Sequence, residues 1–474
     1  MASVDDQVST TSITAEVREG DYGAKIGTVE PGGAELIPLG DRHGKPLSLF
    51  WTWMSPNLEF ATVYVGVIAV LFFGQTLWQA TLAILLGTAL GSVSHGFLGT
   101  RGPLFGVPQM ILSRIPFGFR GNILPAGLNA VTAGIGWFAV NSVSGALALN
   151  TLLHLPKVIS LLVVVAAQIA IAFFGHNLVH AFERLAFPLL AVAFILAAFV
   201  IFPKTDPSAA AGGGGIGGFL ITLGAAFGYA AGWNPYASDY TRYFAPDTDK
   251  KATALWGGLG VFVSCTVLEL LGAASATLVA PKDASPTAAF TGQMPTVIAD
   301  LVLLAIALGA VSANAINVYS GTMSFLAMGF NLPLALRRAL VAVGFGTLGF
   351  IVALSGLEDV SKYENFLLVI AYWIGPWLGV YFTDMFLRRG HRVDGFLFDR
   401  KHNPWAGWVS MLVAMVVSIW LFSNQTQYVG VVPKANASFG DIAFEVGFVL
   451  AAALYLVFFK LQKVERDEVL VLPE

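Results

Sequence analysis

Twelve long apolar runs constrain this chain more than any other feature. They fall at residues 51–73, 77–98, 122–149, 157–175, 184–202, 216–240, 254–279, 296–329, 333–355, 363–387, 404–423 and 440–460. A helix needs roughly 20 apolar residues to cross the hydrocarbon of a bilayer. Its backbone polar groups must be satisfied within the segment. Short polar or Gly/Pro-rich connections separate the runs, so the pattern predicts an all-α polytopic membrane protein with 12 transmembrane helices. The composition agrees: 56% of residues are hydrophobic, 12% are charged and the mean hydropathy is +0.72. A soluble domain carries about a quarter charged residues, so a large soluble catalytic core is excluded.

The connections are short. The longest are the stretch from Gly99 to Gly121, the glycine-rich loop around SAAAGGGGIGG and the basic loop RRGHRVDGFLFDRKH. Residues 1–49 are polar and lack an apolar signal-peptide core, so they read as a disordered tail. Residues 50–462 form the membrane domain and 463–474 a second tail. The single cysteine, Cys265, lies within an expected span, which excludes an intrachain disulfide and a cysteine metal cluster. Charge placement sets the orientation. With both termini in the cytoplasm, the opposite loops hold five basic residues, Lys157, Lys204, Lys282, Lys362 and Lys434, leaving 21 of the 26 Lys and Arg on the cytoplasmic side. That asymmetry follows the positive-inside rule for a multi-pass protein of the cell membrane.

Two spans carry a break signal. Span 1 contains FWTWMSPNLEF, with Pro56 between Ser55 and Asn57, and span 6 contains GWNPYASDY, with Pro235 after Asn234. Proline removes an amide donor and clashes with the preceding turn. Backbone carbonyls around Trp51 to Met54 and Gly232 to Asn234 then lack partners, which is tolerated at membrane depth only beside protein or a wet cavity. Ordinary proline kinks are the plainer reading of either motif alone. Two such motifs five spans apart instead match the paired discontinuous helices of inverted-repeat transporters. Spans 1–5 and 6–10 are the expected repeats, with spans 11 and 12 added.

Polar and aromatic residues recur at helical spacing on nearby spans. Trp137 and Asn141 in span 3 are four apart, and Asn314 and Asn317 in span 8 are three apart, so each pair shares a helix face. With Trp233 they suit a planar heterocycle: an aromatic side chain stacks on a ring at roughly 1–3 kcal/mol per base, and a carboxamide offers both donor and acceptor to its edge. The plainer alternative makes Trp137 packing and the asparagines interhelical glue. The expected partners are a small nucleobase-like solute and the bilayer, with no nucleic acid, metal, organic cofactor or obligatory protein partner.

At these residues the chain resembles the nucleobase:cation symporter-1 family, in particular its purine–cytosine permease branch. The motifs are GWNPYASDYTRYF in span 6, RGNILPAGLNAVTAGIGWFAVN in span 3, GHNLVHAFERLAFP entering span 5 and ANAINVYSG in span 8. The resemblance spans roughly residues 45 to 460. It implies a LeuT-type five-plus-five fold plus two helices, spans 1 and 6 broken, and uptake driven by Na⁺ or H⁺. It further implies that Trp137 and Trp233 sandwich the substrate ring, that Asn141 and Asn317 hydrogen-bond it, and that Ser55 supplies a contact from span 1. Asn57 and Asn314 stand beside these positions. The coupling cation would meet the carbonyls of Trp51 and Met54 and the hydroxyl of Ser312, with Val311 where sodium-coupled members carry a second hydroxyl. Cytosine or a purine leads as substrate; uracil, hydantoin, allantoin, thiamine and pyridoxine use the same scaffold.

Glu59, just past the break in span 1, and Glu269 in span 7 are carboxyl groups the fold does not otherwise require. An ionisable residue within the membrane marks a functional site by default, and either could carry a coupling proton. Asp239 and Arg242, three apart after the span 6 motif, are expected to pair, serving with Pro56 and Pro235 as gating or structural elements. Two other classes compete. His176, His180 and Glu183 have the spacing of an intramembrane metalloenzyme's ligands, but no second histidine cluster accompanies them. A passive channel would want a continuous polar pore.

Overall fold

The computed structural model describes residues 33–174, 176–209, 212–278, 286–330, 334–357 and 362–462, with backbone alone for 172–174, 176–185, 334–342 and 364. Among these residues the regular structure is helical. Eight helices are long and apolar enough to cross a membrane: Leu77–Phe105, Ile123–Leu153, Ala186–Lys204, Gly215–Thr241, Lys250–Ala276, Thr296–Ala327, Asn365–Leu387 and Ala443–Leu461. The pair Ser48–Asn57 and Phe60–Leu71 passes the same test jointly and is bent by 62°. Shorter apolar helices, Lys157–Ile171, Val343–Gly356 and Ala406–Phe422, lie where spans 4, 9 and 11 are expected.

Small residues set the packing. A Cβ on Gly66 would stand 1.7 Å from the Glu269 carbonyl oxygen, and one on Gly272 would stand 1.7 Å from that of Val63. Spans 1 and 7 therefore meet backbone to backbone, the close approach that glycine permits between membrane helices. Spans 2 and 6 meet the same way, with the Gly87 position 2.3 Å from the Leu223 oxygen. Span 3 packs on span 8. These contacts exchange into one another when spans 1–5 are swapped for spans 6–10.

Three expectations need correction. The stretch from Gly99 to Gly121 is not a plain loop but forms short helices, Gly102–Phe105, Gln109–Leu112 and Arg114–Gly121. In it Arg114 is buried and donates to the carbonyls of Leu397 and Ala327 at 3.0 and 2.9 Å. Residues 33–47, read as part of a disordered tail, pack on the molecule: the Ile37 amide donates to the Gly106 carbonyl at 2.9 Å, and Arg42 donates to the Ile37 and Pro103 carbonyls. The third is span 6. Its α-helical bonding is interrupted, as expected, but among the described residues the sharp bend falls in span 1 alone. Residues 1–32 and 463–474 lie outside the described residues, as do the side chains of His176, His180 and Glu183.

Candidate functional site

The bend in span 1 is built by three devices. Helix Ser48–Met54 passes into a 3-10 turn, Ser55–Asn57, with Pro56 in its first positions. The chain then leaves helical geometry at Leu58 (φ −77°, ψ 65°) and Glu59 (φ −148°, ψ 170°). The Glu59 carboxylate caps the next helix, Phe60–Leu71, by accepting the Ala61 amide at 2.9 Å. The turning point is therefore two to three residues beyond Pro56. Span 8 presses on it: a Cβ on Gly309 would lie 2.6 Å from the Leu58 oxygen and 3.0 Å from the Glu59 Cβ.

Span 6 runs Gly215–Ala231, then a 3-10 turn Asn234–Tyr236, then Ala237–Thr241. Gly232, Trp233, Tyr236 and Ala237 all stay in the right-handed helical region. Three-residue hydrogen bonds, Trp233 N–H to Ala230 and Tyr236 N–H to Trp233, bridge the gap left by Pro235. The Trp233 carbonyl also meets His95 Nδ1 at 3.1 Å, and the Asn234 amide donates to Ser94 Oγ at 2.6 Å.

Both expected tryptophans are buried at this junction, Trp137 at 6% exposure and Trp233 at 7%. Trp137 ends a π-helical segment, Thr132–Trp137, inside span 3, a local widening of the helix common at functional sites. Its ring comes to 3.3 Å from the Cβ position of Gly232 and packs edge-on against Tyr229 and Phe366, with centroids 5.3 and 5.2 Å away. Trp233 donates its indole N–H to Asn57 Oδ1 at 2.8 Å and lies 5.8 Å from the Trp53 ring. Asn57 in turn donates to the Trp53 carbonyl at 2.8 Å. The break in span 1 thus holds the indole of span 6.

The carboxamides and the Tyr236 hydroxyl form a line across three spans. Asn141 donates to Asn314 Oδ1 at 3.0 Å, Asn317 donates to the same oxygen at 3.4 Å, and the Tyr236 hydroxyl donates to Asn317 Oδ1 at 3.2 Å. Asn314 also donates to the Phe138 carbonyl at 2.8 Å. Asn314 is therefore the hub that fixes its neighbours, whereas the buried Asn141 Oδ1 and Ser55 Oγ have no protein partner among the described residues. Buried polar atoms are normally paired, so these two oxygens are available to a polar solute, as are Asn234 Oδ1 and Trp53 Nε1. A cavity of about 140 Å³ is lined by Phe60, Tyr64, Val140, Ser144, Tyr363 and Phe366 among others, the last two of which also pack on Trp137.

The coupling candidates divide. The Trp51 carbonyl already accepts the Ser55 amide, and the Trp51 side chain is half exposed on the helix exterior. Met54 ends the helix before the 3-10 turn, and Ser312 is fully buried on span 8, one turn beyond Gly309. Glu59 accepts from Tyr229 at 3.1 Å, and Glu269 accepts from Thr88 Oγ1 at 2.8 Å; both are buried. Asp239 accepts the Gln109 amide at 2.9 Å, while Arg242 donates to the Gly33 carbonyl and to the hydroxyls of Tyr243 and Tyr319. Each of the two thus ties a different segment to the end of span 6. Among the described residues no group of three His, Cys, Asp or Glu could hold a metal ion.

Sequence reasoning missed Trp53, Thr62, His95, Tyr229, Tyr363 and Phe366. Two had a signal: Trp53 lies four residues before Asn57, and Tyr229 lies four before Trp233, which places each on the face of a chosen residue.

Residues 36–447 match a family of permeases for cytosine/purines, uracil, thiamine and allantoin. The chain is 29% identical over 442 residues to a putative purine-cytosine permease, YxlA, of Bacillus subtilis, covering 90% of this chain and 95% of that one. It is 26% identical over 452 residues to the purine-cytosine permease fcyB of Emericella nidulans, covering 90% and 88%. In fold it resembles inward-facing Mhp1 at a TM-score of 0.72 and 19% identity, covering 94% of this chain and 95% of that one. The closed form of Mhp1, a nucleobase-cation-symport-1 family transporter with bromovinylhydantoin bound, gives 0.68 at 20% identity over 91% and 95%. With the match running through nearly the whole membrane region, this chain belongs to the permease family for cytosine/purines, uracil, thiamine and allantoin, and it is a transporter rather than an enzyme.

Proposed function

We propose that this chain is a secondary active symporter that takes up a nucleobase or closely related planar heterocycle, cytosine or a purine first, with H⁺ or Na⁺ as coupling ion. It works by alternating access in the cell membrane, with 12 spans, a five-plus-five inverted repeat and both termini cytoplasmic. One observation carries the reading: of two buried indoles, that of Trp137 reaches Gly232, the neighbour of Trp233, and that of Trp233 is held by Asn57 in the bend of span 1, beside a line of carboxamides. The indoles present π faces. Asn141 and Asn317 present donors and acceptors to the ring edge, and Ser55 adds a hydroxyl. Asn314 and Asn57 hold these groups in place, and Pro56 and Pro235 free the main chain around them. The span pairings that exchange under the swap of spans 1–5 for 6–10 support the repeat. The Met54 carbonyl and Ser312 are the groups nearest the bend suited to a sodium ion, while Glu59 and Glu269 suit a proton.

Competition uptake in a strain lacking its own nucleobase carriers tests this. Labelled cytosine would be offered against adenine, uracil, allantoin and hydantoin, with and without sodium and with a proton uncoupler. Accumulation above equilibrium that collapses on removing one ion gradient is expected. Equilibration that no ion gradient can drive higher would instead mean a passive channel.

A further inference from the structure

Four oxygens lie in a row from the bend of span 1 into span 6 and back. Glu59 Oε1 is 3.1 Å from the Tyr229 hydroxyl, which touches Thr62 Oγ1, which is 2.6 Å from the Asn57 carbonyl oxygen. The row has three links. Tyr229 and Thr62 each bring one hydroxyl hydrogen, and the carbonyl and an ionised carboxylate bring none. With Glu59 ionised, Tyr229 donates to Glu59 and Thr62 to Asn57, and the contact between the two hydroxyls has no hydrogen in it. A proton on Glu59 Oε1 completes the row, which then donates in one direction from Glu59 through Tyr229 and Thr62 to Asn57. Oε2 keeps the Ala61 amide in either case.

The surroundings favour a neutral row. The titratable groups facing Glu59 are Tyr229 of span 6, Tyr363 of span 10 and Cys265 of span 7. Glu269 joins the same cluster beside Cys265 and Tyr363, and Tyr64 stands beside Tyr363. Span 8 contributes the backbone of Gly309. Among the described residues no Lys, Arg or His is in this set, and a buried charge left without a counter-ion is costly. Two members of the row reach the indoles. Asn57 holds Trp233 through its side chain, and the Tyr229 ring braces Trp137.

We propose that Glu59 is the proton-binding group of the transport cycle, taking one proton from the outer solution and releasing it to the inner one, with its load sensed at the indoles through Tyr229, Thr62 and Asn57. This rests on the symport reading above and chooses the proton as its ion. The test uses the full-length protein in liposomes with labelled cytosine. Wild type accumulates cytosine under an inward proton gradient without sodium. Glu59→Gln, which cannot release a proton, loses that accumulation to the equilibrium level, while cytosine counterflow at equal pH persists. A second measurement needs no variant: cytosine added to weakly buffered, purified wild type draws protons from solution, and its affinity falls by up to about tenfold per pH unit as the site empties, as linkage of one proton requires. Gradient-driven accumulation retained in Glu59→Gln overturns the proposal. So does loss of coupling in Glu269→Gln alone, or cytosine binding to wild type that moves no proton. Absence of counterflow in wild type removes the symport reading itself and this inference with it.

Discussion

Spans 1 and 6 receive the same local instruction and answer it differently. Pro56 and Pro235 each open a 3-10 turn of three residues, Ser55–Asn57 and Asn234–Tyr236. After the first, Leu58 and Glu59 leave helical geometry and the axis turns by 62°. After the second, Ala237 (φ −52°, ψ −40°) returns directly to helix. Proline alone removes one donor and does not fix an angle. The angle comes from the residues beyond the turn and from the neighbouring spans. In span 1 a carboxylate caps a new helix, and span 8 has a glycine where the bend needs room. In span 6 Tyr236 offers no such cap, and Ser94 and His95 hold the junction from the side. A break signal locates a weakness, and neighbouring groups decide whether it becomes a hinge or a tightened turn.

The largest effect should come from the indoles. Trp233→Ala and Trp137→Ala each remove a stacking face of roughly 1–3 kcal/mol, or about 5- to 150-fold in cytosine affinity, read by equilibrium binding. Equal losses would show that both spans contact the ring; a loss at Trp233 alone would give that role to the tightened turn. Next is Asn57→Ala, which strands the buried indole N–H of Trp233 and costs about 1–3 kcal/mol in thermal or denaturant stability. Asn57→Asp should recover much of it by restoring the acceptor. The glycines then separate the two junctions. Gly309→Ala puts a Cβ 2.6 Å from the Leu58 backbone oxygen, whereas at Gly232 the nearest atoms are at 3.0 and 3.3 Å. Overpacking of roughly 1–3 kcal/mol is expected at Gly309, with a smaller melting shift for Gly232→Ala. A reversed order would mean that span 6 is the tighter joint. The smallest effects belong to the prolines: Pro56→Ala and Pro235→Ala should each cost roughly 0.4–1 kcal/mol. Spin-label distances across span 1 should show its bend surviving Pro56→Ala, since Leu58 and Glu59 make it.

Much of the site is legible along the chain because its parts repeat at helical spacing. Trp137 and Asn141, and Asn314 with Asn317, share faces by their separations alone, and the structure joins Asn141 to both span 8 asparagines through Asn314. The spacing does not reveal that Asn314 spends its oxygen on its neighbours. Tyr363 and Phe366 are illegible for another reason. They reach Trp137 from span 10, and nothing local in span 10 says which distant ring it will meet. Residues 33–47 read as a loose tail because polar, glycine-rich composition reports solvation and not the carbonyls of Gly106 and Pro103 that await their donors.

By itself the sequence determined the all-helical membrane architecture, the places where two helices weaken, and the types of side chain gathered there. Those features arise from the cost of unsatisfied backbone in hydrocarbon and from the fixed pitch of a helix, both acting within one segment. The tertiary structure alone decided which weak point bends, which amide is spent on its neighbours, and that Glu59, Tyr229, Thr62 and Asn57 fall into one row. Each of these depends on atoms brought together from different spans, where a few tenths of an ångström separate contact from clash.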